Sequence, residues 1–420
     1  MKCPQGNRSR CTADVDRFAQ ATSLACEGDL RSALSQGARV VAAYRQAENA
    51  ASLRIALPTM ANWYSDLGEI DKAGECLAQT RKLERSSDTT YAQAVYHEAL
   101  STVLLAEGKF DEAVDALRLS AAAYGDDRQA ASTVWARLGH AYLAIDRPAE
   151  AIDSFLAAEA LLDSCNHSEW EYLLAGLEEA YDGARHFREF CDRCRAEYPE
   201  AASRLNQWYL TMSELRDFGG TACKDGLATS LGLDWTWHDP FGDCAFVIGE
   251  SLEIQASNGR ALQHTNQSAP RVLRSVNRDF AAQVACAPAR EDRPAIGGLL
   301  IWKGPDDYPC LVKGSCGKQD VAFRGRIGGQ ETLAGRGRLM ADRVFLRVES
   351  DGGRVRALCS PEGEQWYTVG ETAFPKTYPF EVGLCASGLP AWYGRTIYRD
   401  VFPEGTAMRF ECFVSQLAQG

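Results

Sequence analysis

Four alanines recur at nearly constant spacing in the first half of this chain. They are Ala33, Ala73, Ala113 and Ala151, about 40 residues apart. Each follows a turn residue by about five positions, and these turn residues are Gly28, Gly68, Gly108 and Asp146. A period of roughly 34 to 47 residues is typical of stacked helix hairpins, in which each hairpin buries its apolar side against its neighbours. The spacing therefore predicts an all-α solenoid.

One copy of the repeat carries a fuller pattern. It consists of Trp135, Leu138, Gly139, Tyr142, Ala151, Phe155 and Ala158. This spacing resembles the W-x2-L-G-x2-Y…A-x3-F signature of tetratricopeptide repeats, and the three earlier copies keep part of it. The resemblance implies a protein-binding solenoid, in which Gly139 permits close helix approach. It also implies that Trp135 and Tyr142 fill the space between paired helices.

The helical pattern continues beyond the clear repeats. Helices are predicted near residues 169–182, 184–195 and 200–215. Because the terminal repeats of a solenoid are usually atypical, we assign these three helices as its cap. The stretch 218–226 is rich in glycine and has no helical period, which predicts a connecting loop.

Downstream of residue 233 apolar residues alternate with polar ones, as in half-buried strands. The runs are 244–248, 252–256, 280–285, 298–302, 321–327, 344–349, 354–359, 366–369, 380–385 and 408–414. Asp351-Gly352-Gly353 predicts a tight hairpin between two of them. Short strands at this spacing indicate an antiparallel two-sheet sandwich. We therefore expect a multidomain α plus β protein with a helical domain over 1–217, a linker over 218–232 and a β-domain over 233–420.

The order of motifs in the second half is similar to that of a bacterial concanavalin A-like family known as a domain of unknown function. The matching stretches are 235–240, 252–254, 295–302, 344–347, 359–366 and 382–384. A turn that often carries Asp-Gly in that family carries Glu362-Gly363 here. The resemblance implies a jelly-roll sandwich over about residues 230–415, a fold that lectins, hydrolases and adaptor domains share.

Composition is that of an ordinary soluble globular protein, with 45% hydrophobic and 24% charged residues. No apolar signal segment follows Met1, and the 15 scattered cysteines fit a reducing compartment, so we expect a cytoplasmic, bacterial protein. Residues 1–217 carry roughly 23 basic and 34 acidic side chains, which is most of the net charge of −12. This acidity favours a neutral or basic protein or peptide partner over nucleic acid or a membrane, although a solvated helical surface also accounts for it.

The signatures of common enzymes are missing from the sequence. Concanavalin A-like glucanases carry E-x-D-x-x-E on one strand, whereas Glu349 and Asp351 are followed by Arg354 at the last position. Cys191 and Cys194 have C-x2-C spacing without a second ligand pair, so we interpret them as buried helix residues. No glycine-rich phosphate-binding motif or nucleophile elbow is present. We expect no catalytic residues, no metal and no cofactor.

Arginines in the second half form one candidate ligand site. Arg324 and Arg326 share one strand face, and Arg336 and Arg338 share another. Stacked on adjacent strands, they would line a surface suited to carboxylates or phosphates. The alternatives are an ordinary sheet face whose arginines are paired with carboxylates, or a surface that docks on the acidic half.

Aromatic residues form a second candidate site, for a glycan. Trp392 and Tyr393 follow a Gly-Leu-Pro turn and are expected on a loop, where they would stack on a sugar ring. Trp302, Tyr308 and Trp366 are further candidates, with Asp306 and Asp307 as hydroxyl acceptors.

The first helix of each repeat is expected to line the binding surface of the solenoid. Its polar and aromatic candidates are Asn62, Tyr96, His97, Arg137 and His140. The leading hypothesis is a non-enzymatic interaction protein whose solenoid binds a protein partner and whose sandwich is a second binding module. A carbohydrate-binding, lectin-like protein is the alternative, and a glycoside hydrolase is the least favoured.

Overall fold

The computed structural model describes residues 5–83, 89–125, 127–162, 167–183, 211–216, 218, 223–224, 234–263, 266–315, 317–375, 379–389 and 405–418. They form two compact units, one of helices and one of strands. The predicted multidomain α plus β fold is confirmed. Among these residues no helix is both long and apolar enough to span a membrane.

Nine helices occur in the described part of the N-terminal region. They are α1 (Gln5–Cys26), α2 (Leu30–Gln46), α3 (Ala50–Asp66), α4 (Ile70–Arg81), α5 (Thr90–Glu107), α6 (Phe110–Tyr124), α7 (Arg128–Ala144), α8 (Pro148–Leu161) and α9 (His167–Gly183). Successive helices from α1 to α8 pack as hairpins, and α3 also packs on α5. The predicted helical repeat is therefore present.

The turns and alanines of the repeat follow one geometry. Gly28, Gly68, Gly108 and Asp146 all have positive φ, at 88°, 79°, 77° and 59°. This left-handed conformation reverses the chain between the two helices of a hairpin, and glycine adopts it at little cost. The four alanines that follow are all 0% exposed. A larger side chain at these positions would push the paired helices apart.

Phe155 on α8 packs against glycines of the two neighbouring helices α7 and α9. A Cβ on Gly139 of α7 would lie 2.6 Å from its ring, and one on Gly176 of α9 would lie 2.2 Å from it. The two glycines therefore let the backbones of two helices approach this fully buried ring closely. Tyr142 is buried as expected, whereas Trp135 is only partly buried.

Sixteen strands lie in the described C-terminal region. They are β1 (Thr211–Met212), β2 (Cys223–Lys224), β3 (Thr236–His238), β4 (Ala245–Ile248), β5 (Leu252–Ala256), β6 (Arg271–Val276), β7 (Phe280–Pro288), β8 (Ile296–Trp302), β9 (Tyr308–Lys313), β10 (Asp320–Ile327), β11 (Gln330–Arg338), β12 (Val344–Asp351), β13 (Arg354–Ser360), β14 (Tyr367–Ala373), β15 (Phe380–Ser387) and β16 (Thr406–Leu417). Every predicted run coincides with one of them.

The strands form two antiparallel sheets. Sheet A has the order β1-β14-β13-β12-β7-β16-β5-β4, with β2 pairing on β16, and sheet B has the order β11-β10-β9-β8-β15-β6-β3. Residues such as Val284, Leu346 and Leu384 alternate inward and meet in one apolar core between the sheets. The predicted hairpin is confirmed, because Asp351 pairs with Arg354 across Gly352 and Gly353, both at positive φ.

Two short strands lie in segments for which the sequence predicts other structure. The sequence predicts a helix over 200–215, but β1 pairs with β14 and residues 213–216 are not helical. It predicts a linker over 218–232, but β2 pairs with β16. Both segments find open hydrogen-bonding groups on existing strands, and this tertiary pairing overrides their local helix or loop preference.

Candidate functional site

The four predicted arginines Arg324, Arg326, Arg336 and Arg338 lie on one face of sheet B. Their neighbours Val321 and Phe323 point into the core, so alternation turns Arg324 and Arg326 outward. Arg336 pairs with Ala322 and Arg338 with Asp320, which places them on the same outer face. The register thus brings together the residues that the sequence analysis grouped.

Two of these arginines are already engaged by carboxylates. Arg336 is buried, and its Nε lies 2.5 Å from Oδ1 of Asp320, whose Oδ2 accepts a hydrogen bond from Ser315. Arg336 therefore differs from the expected ligand-facing residue, because its guanidinium is held inside the sheet unit. Arg326 is half-buried and lies 3.4 Å from Asp306. This pairing matches the alternative of a charge-compensated sheet face.

Aromatic side chains occupy the centre of the same outer face. Trp302 on β8 is half-buried and stacks on Tyr308 of β9, with ring centroids 5.2 Å apart. Glu381 is the cross-strand neighbour of Trp302, and Arg326 is that of Tyr308. Tyr308 is fully buried, so Trp302 is the member of the pair that a ligand can reach.

Arg271 and His238 lie beside each other at the β3 end of sheet B, since they are cross-strand partners. The guanidinium carbon of Arg271 lies 4.2 Å from the Trp302 ring centroid, a cation–π contact. Its Nη1 donates to two main-chain carbonyls, of Gln267 at 3.2 Å and Ala269 at 3.1 Å. Its buried Nε has no hydrogen-bond partner among the described residues, and neither has the buried Nε2 of His238.

Burial sets the protonation of this pair. Desolvation lowers the pKa of Arg271, although a guanidinium stays charged at neutral pH. Desolvation and the positive charge of Arg271 lower the pKa of His238, so its imidazole is neutral at pH 7. Arg271 was not found from the sequence because most of β6 is buried on both faces and shows no alternating pattern. His238 was not singled out because it lies on β3, a strand of only three residues.

The remaining aromatic residues that the sequence predicted for a sugar site are either buried or outside the described residues. Trp366 is buried, so it does not present a ring to a sugar. Trp392 and Tyr393 lie outside the described residues, as do Cys191 and Cys194.

Sheet A carries a second group of arginines around Glu349. This carboxylate is 0% exposed; Oε1 lies 2.8 Å from Arg347, and Oε2 lies 2.6 Å from Arg356. The backbone N–H of Arg216, just after β1, also donates to Oε1 at 3.2 Å. Glu349 is thus the centre of a buried ion cluster, and the partial glucanase motif does not present it to a substrate.

On the helices, the predicted partner-binding residues separate by burial. Asn62 on α3 and Tyr96 and His97 on α5 are half-buried and retain accessible surface. Arg137 and His140 on α7 are only 5% and 1% exposed. The last two therefore differ from the expected contact residues, because helical phase alone does not show which side of α7 its neighbours cover.

Arg137 belongs to a polar network between helices. Its Nη1 lies 3.1 Å from Oε1 of Glu98, and its Nη2 donates to the hydroxyl of Thr102. The hydroxyl of Tyr124 donates to the other oxygen of Glu98. Burial and the Glu98 charge raise the pKa of Tyr124. The network ties α5, α6 and α7 together, and Glu98 is the residue at its centre that the sequence analysis did not single out.

One group of potential metal ligands occurs among the described residues. Asp239, Asp243 and Cys244 place ligand atoms within 4.8 Å of one another. However, Asp239 accepts backbone hydrogen bonds from Gly242 and Cys244, at 3.0 and 2.8 Å. Asp243 is held by Arg260 through two hydrogen bonds, at 3.0 and 2.7 Å. These hydrogen bonds stabilise a turn, and the turn explains why the three residues lie close together.

Comparison with known proteins gives only distant likenesses. No protein-family model and no curated protein matches the chain. Similar solved structures include a functionally unknown protein from Saccharomyces cerevisiae, at 15% identity and a TM-score of 0.35, covering 44% of this chain and 98% of that chain. The GH43 protein BlXynB from Bacillus licheniformis has 15% identity and a TM-score of 0.36 over 46% of this chain.

The chain spans 39% of the length of BlXynB. The carbohydrate-binding module CBM66 from Bacillus subtilis has 14% identity and a TM-score of 0.29, over 44% of this chain and 95% of the module. Likenesses at these scores carry no inference about activity.

Proposed function

We propose that this chain is a non-enzymatic binding protein. In this proposal a tetratricopeptide-like solenoid binds a protein or peptide partner, and a concanavalin A-like sandwich is a second binding module. The observation that carries it is the regular stacking of helix hairpins, each with a left-handed turn and a fully buried alanine. Stacked hairpins present a continuous surface to extended ligands.

We assign partner contact to Asn62, Tyr96 and His97. All three are on the first helices of their hairpins, α3 and α5, which pack against each other. Arg137 supports this surface from within through its ion pair with Glu98 of α5. His140 packs instead against Phe155 and Tyr172 and is not assigned to partner contact. Since the helical half is acidic, the partner is neutral or basic, and its binding weakens as salt rises. Buried free cysteines such as Cys286, Cys359 and Cys385 fit the proposed cytoplasmic location.

The experiment is selection of peptides from a random displayed library on the full-length chain, followed by calorimetry with a selected peptide. We expect Tyr96→Ala to weaken binding at least tenfold. Tyr91→Ala is the matched control, since Tyr91 lies on the same helix and is 48% exposed. If the two variants bind the peptide with equal affinity and keep the wild-type melting temperature, the proposed binding surface is wrong.

A second candidate function is carbohydrate binding by the outer face of sheet B. It is favoured by the half-buried Trp302, whose ring is flanked by Glu381 and lies close to Arg271. Aromatic rings with nearby polar groups are the usual lining of small-ligand sites. A glycan array probed with the full-length chain tests it, and selective binding that Trp302→Ala abolishes is the expected result.

A further inference from the structure

We propose that His238, Arg271 and Trp302 form a site for an acidic sugar, with the sugar carboxylate bound by Arg271. This inference rests on the carbohydrate-binding function given above as the second candidate. It adds the chemical class of the ligand and the residues that select it.

Arg271 is a buried cation whose Nε donor is unsatisfied within the described part of the chain. The residue is only 9% exposed and forms no ion pair with a described carboxylate. Two main-chain carbonyls hold Nη1 and fix the guanidinium plane. The opposite edge, which bears Nε, has no acceptor among the described residues. A buried guanidinium is costly unless its donors are satisfied, and a carboxylate satisfies two of them at once.

His238 extends the same site. Directly paired residues of antiparallel strands have side chains about 4.5–5.5 Å apart at Cβ, so its imidazole lies next to the Arg271 side chain. Its Nε2 is also buried, with no partner in the described part of the chain. A ligand that bridges these two nitrogens would satisfy both, with His238 donating to, or accepting from, a hydroxyl.

The neighbouring groups favour a sugar over a free anion. Trp302 offers a partly accessible ring beside the guanidinium, and Glu381 next to it can accept hydrogen bonds from hydroxyl groups. A uronic acid presents a carboxylate, hydroxyls and apolar C–H groups in one molecule, which matches all four side chains.

The test is calorimetry of the full-length chain with D-glucuronate and D-galacturonate methyl glycosides, their neutral methyl esters, and acetate. We expect at least one uronate to bind at least tenfold more tightly than its ester and than acetate. Arg271→Lys keeps the charge but loses the planar fork, so it should weaken uronate binding at least tenfold. Arg354→Lys, at an exposed position on β13 of sheet A, is the matched control and should leave binding unchanged.

Each of the other possible binding results has its own interpretation. Equal binding of uronate and ester would overturn the acidic-sugar inference and leave the lectin function standing. Equal binding of acetate would mean a simple anion site. No binding of any probe would overturn this inference, while the glycan array judges the second candidate independently. If Arg271→Lys fails to fold, as judged by circular dichroism, His238→Gln replaces it, and unchanged uronate affinity in His238→Gln would count against the site.

Discussion

His140 shows how one buried side chain links the stability of the helices to pH. Its ring packs against Phe155 and Tyr172, with centroids 4.9 and 4.1 Å away, and Nε2 lies 3.3 Å from the carbonyl oxygen of Tyr172. Burial lowers its pKa to about 3 in the folded chain. An unfolded histidine has a pKa of about 6.5. Between these values the unfolded state binds more protons than the folded state.

This difference predicts that the free energy of unfolding falls as pH is lowered from about 6.5 toward about 3. The stabilisation is fully present above about 6.5, and its loss approaches about 1.4 kcal/mol per pH unit from this one group. The measurement is urea denaturation at several pH values, followed by circular dichroism at a helical wavelength.

His140→Phe isolates the contribution, because it keeps an aromatic ring and removes the titration. The variant should show a shallower loss of stability over this pH range. His97→Phe, at a half-buried position on α5, serves as the control. An identical pH slope for the wild type and His140→Phe would mean that the imidazole is hydrated in the folded state.

At the scale of elements, two helices can approach closely only where a glycine leaves out the Cβ that would collide with a neighbouring side chain. A Cβ on Gly139 or on Gly176 would come within 3 Å of the Phe155 ring, so neither position has room for a side chain unless the ring shifts. A Cβ on Gly74 of α4, by contrast, would have no heavy atom of another residue within 4 Å. Gly139 and Gly74 both lie within helices. Comparing their substitution by alanine therefore separates the effect of side-chain packing from that of helix propensity.

We therefore predict opposite effects of the same substitution. Gly139→Ala should lower the free energy of unfolding by about 1–3 kcal/mol, because overpacking exceeds the gain in helix preference. Gly74→Ala should raise it by up to about 1 kcal/mol, since alanine is the better helix former. Chemical denaturation of the two variants checks both signs, and stabilisation by Gly139→Ala would show that Phe155 is not packed as described.

At the scale of the whole molecule, the segment before the second domain belongs to its sheets. Arg356 donates to the hydroxyl of Ser213 at 3.0 Å and to the carbonyl of Glu214 at 2.8 Å. β1 and β2 add backbone pairs to β14 and β16. We propose that the division of the chain lies before β1 rather than at residue 218.

This division predicts that a fragment of residues 207–420 is more stable than one of residues 233–420. The shorter fragment loses β1, β2 and the hydrogen bonds to the Glu349 cluster. Hydrogen bonds to charged groups contribute about 1.5–3 kcal/mol each, so the melting temperature should differ by several degrees. Thermal denaturation followed by circular dichroism measures it. Equal melting temperatures would show that residues 207–232 add nothing to the sheets.

Local periodicity made much of the architecture predictable. The alanine spacing follows from the helix hairpins themselves, since a small residue is needed wherever two helices cross closely. The alternating runs follow from strands with one buried face. For the same reason the alternation does not predict β9, because Tyr308–Lys313 is buried on both faces.

The sequence alone determined the repeat, the two classes of unit and the grouping of four arginines on one sheet face, because each depends on neighbours within a few residues or on alternation. Only the tertiary structure decided which side chains reach solvent. Arg137 and His140 are polar yet buried, Arg336 is held by Asp320, and Arg271 lies against Trp302. The reason is physical: burial and ion pairing depend on which residues from distant parts of the chain pack nearby, and no local period records those contacts.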